Sequence, residues 1–210
     1  MKKIVLLAVI AILAFGSSVG ASEKSGCELS QVGAVEVGWT GYKTPAKVGV
    51  GGSFDSVKYT PVAKSGNNFR SVLVGSTVVI DTTTVNSKNQ GRDEKLVKFF
   101  FGMMSQKNIE AKIVDIKADE KIKDAPRTGI VSVEIDMNGV KKIVLMKYSF
   151  KDSVFEATGV IDILEFNANK ALSSINQACF DLHGGKTWSD VAISFKTKIE
   201  ALVCNAKPLK

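Results

Sequence analysis

The chain has 210 residues, with 28 Lys and Arg, 21 Asp and Glu and one His, for a formal net charge of +7. That length suits one domain with a substantial core. The basic residues are dispersed among apolar ones, with no dense block carrying stacking aromatics, which argues against a nucleic-acid surface; the lone His and scattered Cys offer no zinc-ligand spacing.

The chain begins with a basic start, Met1-Lys2-Lys3, then an unbroken apolar run from Ile4 to Phe15, then the small-residue sequence Val19-Gly20-Ala21. These are the three regions of a secretory signal peptide over residues 1–21. The apolar run is too short for a membrane anchor, which takes roughly 20 such residues. Residues 22–210 are then the folded domain. Without Lys2 and Lys3 it carries 26 basic against 21 acidic residues, a net charge of +5. Such a surface leaves room for transient contact with anionic lipid headgroups.

The domain reads mostly as period-2 strands. Val35, Val37 and Trp39 share one face of the first, opposite Glu36, Gly38 and Thr40. Val48 to Phe54 is a Gly-rich strand with close backbone approach, continued from Ser53 to Val62. Lys64 to Asn68 is a turn. A third strand is predicted from Ser71 to Thr83, with Val72, Val74, Val78 and Ile80 on one parity. The first helix is predicted from Asp93 to Met104, its acidic start matching the positive helix end. Asp93 is its candidate cap, and Arg92 pairs locally.

Further strands follow at Asn108–Lys117, Gly129–Met137, Lys142–Lys151 and Ser153–Leu164. Asn138-Gly139 is the strongest hairpin signal. Ala168 to Leu182 is a second helix with Leu172, Ile175, Cys179 and Leu182 on one face. The loop His183–Ser189 leads to a final strand, Asp190 to Val203, with Val191, Ile193 and Phe195 on one face. The fold class is all-β: about eight antiparallel strands and two short helices, as an up-and-down barrel or a two-sheet sandwich.

Cys27, Cys179 and Cys204 all lie in the folded domain, and an oxidising compartment predicts one disulfide and one spare thiol. If a barrel closes first strand to last, the ends carrying Cys27 and Cys204 lie side by side, which makes them the disulfide candidates. Parity opposes the pairing. Cys27 shares the face of Trp39, whereas Cys204 has the opposite parity to Val191, Ile193 and Phe195. A bulge or frayed end must reconcile them, and Cys179 is the alternative partner.

No catalytic set emerges. His183 sits in a Gly-rich loop, and no nucleophile motif accompanies it. Asp81 and Asp162 flank strands without forming a marked acid/base pair. Gly49-Val50-Gly51-Gly52 leads into no helix and is not a phosphate loop. No catalytic residue, metal or cofactor is expected. From the residues alone, Trp39, Phe54 and Phe195 read as filled core, and nothing fixes the oligomeric state.

The stretch Thr84 to Phe101 runs from a β segment through a polar turn into Arg92-Asp93-Glu94-Lys95 and ends in Phe99, Phe100 and Phe101. This order resembles the central motif of the YceI-like family of polyisoprenoid-binding proteins. That pattern is roughly Ser-Ile-Asp-Thr, a polar turn with Asn, Arg-Asp-x-His-Leu and a Phe pair. Thr84 to Ser87 occupy the first four places. Asn89, Arg92, Asp93 and Leu96 match, and Phe100 and Phe101 fall on the aromatic pair. Lys95 stands where the pattern has His, and Asn138 replaces the His of a family His-Gly turn.

The resemblance spans most of Val35 to Val203. It implies an exported, periplasmic, lipocalin-like barrel that binds a long isoprenoid, quinone-related or fatty-acyl chain without catalysis. It turns the filled core into a lipid site, lined by Val35, Val37, Trp39, Phe54, Phe99, Phe100, Met103, Met104, Val191, Ile193 and Phe195. Trp188 is expected to seal a barrel end. The rival readings are a lipid-modifying enzyme using the same cavity and a ligand-free stress-response or interaction module.

Overall fold

The computed structural model describes residues 27–204; the predicted signal peptide, residues 1–21, lies outside them. The described strands are β1 (Cys27–Lys43), β2 (Val48–Phe54), β3 (Val57–Thr60), β4 (Thr77–Asp81), β5 (Val85–Asn86), β6 (Asn108–Ala118), β7 (Arg127–Met137), β8 (Val140–Lys151), β9 (Val154–Asp162) and β10 (Thr187–Cys204). They form one sheet in the order β3-β4-β6-β7-β8-β9-β10-β1-β2-β5. Every pairing is antiparallel. β1 also touches β3 near the far edge, so the sheet curls on itself as a half-barrel. The all-β expectation therefore holds, with ten strands where about eight were predicted. The additions are the short β3 and β5.

The helices are α1 (Phe69–Leu73), α2 (Gln90–Lys95), α3 (Asn169–Ala178) and α4 (Phe180–His183). α1 corrects the predicted strand from Ser71. Its Asn68 side chain accepts from Ser71 N, and the Ser71 hydroxyl accepts from Asn68 N, a reciprocal cap that favours a helical turn over extension. Gly75, at φ 103, then turns the chain into β4. A five-residue helix is not stable alone. Val72 and Leu73 are both 0% exposed and hold it, each worth about 1.5–3 kcal/mol of burial. The preceding Phe69 packs edge-on against Phe150 at 4.8 Å and Phe155 at 5.3 Å. One end of the half-barrel is thereby filled.

The helices after β5 and β9 gather at the opposite end. α2 continues as a π-helix, Leu96–Phe100, and a 3-10 turn, Phe101–Met103. The π-helix packs on α3. The helix cap is Asn89, whose side chain accepts from Arg92 N. Asp93 instead reaches back to the turn and accepts from the backbone N and hydroxyl of Ser87. The hairpin at Asn138-Gly139 forms as expected, with φ of 55° and 77° matching a type I′ turn. The Asn138 side chain donates to Phe166 O and accepts from Ser105 N, joining the chain after the 3-10 turn to the loop after β9.

The β1–β10 register answers the parity conflict. Its register shifts lie between Glu28 and Leu29, between Val32 and Glu36, where Gly33 has φ 72, and between Gly41 and Lys43. Bulges of this kind change which residues oppose one another. As a result Cys27 and Cys204 become direct register partners. Their side chains, and so the disulfide itself, lie outside the described residues.

Candidate functional site

A cavity of about 200 Å³ opens inside the half-barrel, on the helix side of the α1 plug. It exceeds the roughly 150 Å³ apolar void known to accept benzene. Val37, Trp39 and Phe54 line it from β1 and β2, and Val191, Ile193 and Phe195 from β10. Val131, Val133, Ile135 and Met137 close the opposite wall from β7. Met146, Ala157 and Ile161 add to it from β8 and β9. The alternation of each strand explains this wall: every second residue points inward, and nearly all of those are aliphatic or aromatic.

Gly52 makes room for the largest of these rings. It sits opposite Trp39 in the β1–β2 register. A Cβ there would come within 2.6 Å of the Trp39 ring and 2.7 Å of Asn86 O. The missing side chain lets the indole lie across β2, where its Nε1 donates to Ser53 O at 3.3 Å. Gly-rich β2 is thus the complement of Trp39, which gives the predicted close backbone approach a partner.

The helical cap contributes Leu96, Phe100 and Phe101. An ordinary α-turn separates residues five apart, but the π-helix bonds Phe101 N to Leu96 O and turns both toward the cavity. Phe101 then meets Phe54 edge-on at 6.0 Å. Phe99 falls on the other side, with the Lys98 ammonium 5.1 Å from its ring centroid.

Seven of the eleven predicted ligand residues therefore share the cavity: Val37, Trp39, Phe54, Phe100, Val191, Ile193 and Phe195. Val35, Phe99, Met103 and Met104 do not line it. Val35 lies at the β1 bulge, which breaks its alternation with Val37. Met103 is half-exposed, and Met104 packs on the core beside the cap. Leu96 and Phe101 were missed because their partnership depends on the π-turn. The aliphatic wall of β7 was read only as strand.

Polar groups are nearly absent from the lining. Ser76, Thr187 and Ser194 are its only hydroxyl residues. The Ser76 hydroxyl already accepts from Val62 N. Tyr59 packs its ring 6.5 Å from Phe195, and burial pushes its hydroxyl pKa up. Burial does the same to Tyr148 near the α1 plug. Both phenols stay neutral at ordinary pH. His183, Cys179, Asp81, Asp162 and Lys95 lie outside the lining. Among the described residues no cluster of His, Cys, Asp or Glu is arranged to hold a metal ion. Such an interior suits an uncharged hydrocarbon and gives a polar substrate few anchoring groups.

At the open rim stand Gly41, Thr187 and Trp188. Trp188 Nε1 donates to Thr44 O at 2.8 Å, and Thr44 N in turn donates to Lys186 O at 2.9 Å. The tryptophan thus borders the cavity where β1 ends and β10 begins.

Residues 31–199 match the family model described as the YceI-like domain. No curated protein sequence matches the chain. Among solved structures, a polyisoprenoid binding domain from Saccharophagus degradans, implicated in plant cell wall breakdown, superposes with a TM-score of 0.55 at 15% identity, covering 85% of this chain and 99% of that one. BcnA of Burkholderia cenocepacia gives 0.53 at 12% identity, covering 80% and 96%. At these identities the likeness is one of fold.

Proposed function

Because the chain belongs to the YceI-like family, we propose that its cavity binds and sequesters a long apolar chain, such as a polyisoprenoid, the tail of a quinone or a fatty-acyl chain. The observation that carries this reading is the almost wholly apolar cavity beside a filled barrel end. Each methylene moved from water into it contributes roughly 0.8 kcal/mol. The scarcity of polar groups in the lining implies that a polar headgroup stays at the rim while the tail enters. The protein acts on this reading as a carrier or store, with no covalent step. The binding described for the Saccharophagus domain agrees with it. With residues 1–21 read as a signal peptide, the carrier works in the periplasm, which cell fractionation tests directly.

Native mass spectrometry of the purified protein, with solvent extraction of whatever it carries, tests the proposal. We expect a co-purifying lipid, or stoichiometric uptake of an added polyprenol. A protein that carries no lipid and takes up neither polyprenol nor fatty acid refutes it.

A further inference from the structure

We propose that the cavity rim around Trp188 is a docking surface for an anionic lipid bilayer, from which the apolar ligand enters directly. The inference rests on the lipid-binding reading above and deepens it. Exposed apolar side chains stand on the elements beside this rim, Val48 on β2 and Phe180 and Leu182 on α4. Val48 is 49% exposed, Phe180 64% and Leu182 66%. Val48 opposes Lys43 in the β1–β2 register, and Lys43 opposes Thr187 of the rim in β10. Thr187 N donates to Asn176 Oδ1 at 2.8 Å, fastening the rim to α3. Phe180 lies beside Gly185, where a Cβ would come within 2.9 Å of its ring. Val48, Phe180 and the cavity rim therefore form one neighbourhood, with Leu182 two residues further along α4.

Lysines surround it. The Lys186 ammonium lies 4.3 Å from the Trp188 ring centroid, and the Lys47 ammonium lies 5.1 Å from the same ring and 5.3 Å from Tyr42. Lys47 also pairs with Asp190 at 2.7 Å, and Asp181 lies on α4, so the acids offset part of the charge. Lys43 and Lys186 have no acidic partner among the described residues within ion-pair range. Aromatic rings with lysines stacked on them, flanked by exposed Phe and Leu, match the chemistry of a headgroup boundary. There apolar side chains enter the acyl edge and ammonium groups meet phosphate. A second copy of the chain would bring lysine against lysine at this rim, whereas an anionic bilayer complements it. Continuity with the cavity gives the contact a purpose: a hydrocarbon passing from bilayer to barrel here never crosses water.

Flotation with vesicles of phosphatidylcholine, with and without phosphatidylglycerol, tests the proposal, alongside cis-parinaric acid fluorescence as a probe of the cavity. The purified protein should float with the phosphatidylglycerol vesicles and less with the neutral ones. The pair F180S/L182S should lower partitioning by about ten- to a hundredfold, and K186A by about fivefold. Both variants should still bind parinaric acid, since none of these residues lines the cavity. Wild-type protein that binds parinaric acid but floats with neither vesicle overturns the docking surface and leaves the cavity reading intact. Flotation without parinaric acid binding overturns the cavity reading instead. Concentration-dependent dimerisation abolished by F180S/L182S, with flotation unchanged, assigns the patch to a second copy and also overturns the proposal.

Discussion

Two single residues show how local chemistry sets the cavity. Gly52 is the floor on which Trp39 rests. Gly52→Ala places a methyl group into the indole and the Asn86 carbonyl, and we expect about 1–3 kcal/mol of lost stability in urea unfolding, together with reduced uptake of apolar ligand. Wild-type stability in this variant would show that the ring moves freely. Asn138 was noted in the sequence only as a turn residue in place of a family His. Its amide bridges Phe166 O and Ser105 N while its backbone holds φ 55. Asn138→Ala leaves those backbone groups unpaired, and a loss of about 1–3 kcal/mol follows. Asn138→Asp keeps the acceptor for Ser105 but removes the donor to Phe166, so an intermediate loss is expected.

At the scale of elements, α1 and the strand ends determine how the half-barrel is closed. α1 is clamped from outside by Arg70, which pairs with Asp115 on β6. The hydrogen bond from that guanidinium holds the Asp115 carboxyl below the usual carboxylate range. A depressed carboxyl pKa stabilises the fold above the unfolded value of about 3.9, and the contribution is lost as pH falls through the folded value. Arg70→Met should therefore lower stability at neutral pH and leave it little changed below the folded value, which flattens the acid limb of the stability profile; an unchanged acid limb would remove the pair from the account. The β1–β10 bulges place Cys27 opposite Cys204, and we propose that they are joined. Thiol titration of the denatured, unreduced protein should find one thiol, Cys179, and three after reduction. Three thiols before reduction would exclude the bridge. A bridge closing so long a loop is worth about 2–5 kcal/mol.

For the whole molecule, the decisive property is that one half of the half-barrel is filled and the other hollow. Phe69, Val72, Leu73 and Phe155 pack the first half, and the helical cap holds the second open. The hollow half forgoes packing contacts that a filled core would make, contacts that the tail of the proposed ligand would restore. Ile193→Trp projects a larger side chain from β10 into the cavity. We expect uptake of polyprenol to fall at least tenfold while the fold persists, as circular dichroism would report. Undiminished uptake would place the binding site elsewhere.

The sequence by itself determined most of the long strands, the Asn138-Gly139 hairpin and the wall residues Val37, Trp39, Val191, Ile193 and Phe195, because alternation along a strand is local and fixes which side chains share a face. It also carried the family marker from Thr84 to Phe101. Tertiary structure alone decided the rest. α1 was hidden because Val72, Val74, Val78 and Ile80 satisfy a period of two whether or not the first turn is helical, and only the Asn68–Ser71 cap and the burial of Val72 and Leu73 select the helix. The pairing of Leu96 with Phe101 depends on a π-turn with no periodic signature. Opposition of Cys27 and Cys204 depends on bulges that change residue parity. Whether Trp39 and Phe195 fill a core or border a cavity depends on the separation of walls far apart in the chain, a distance no local pattern encodes.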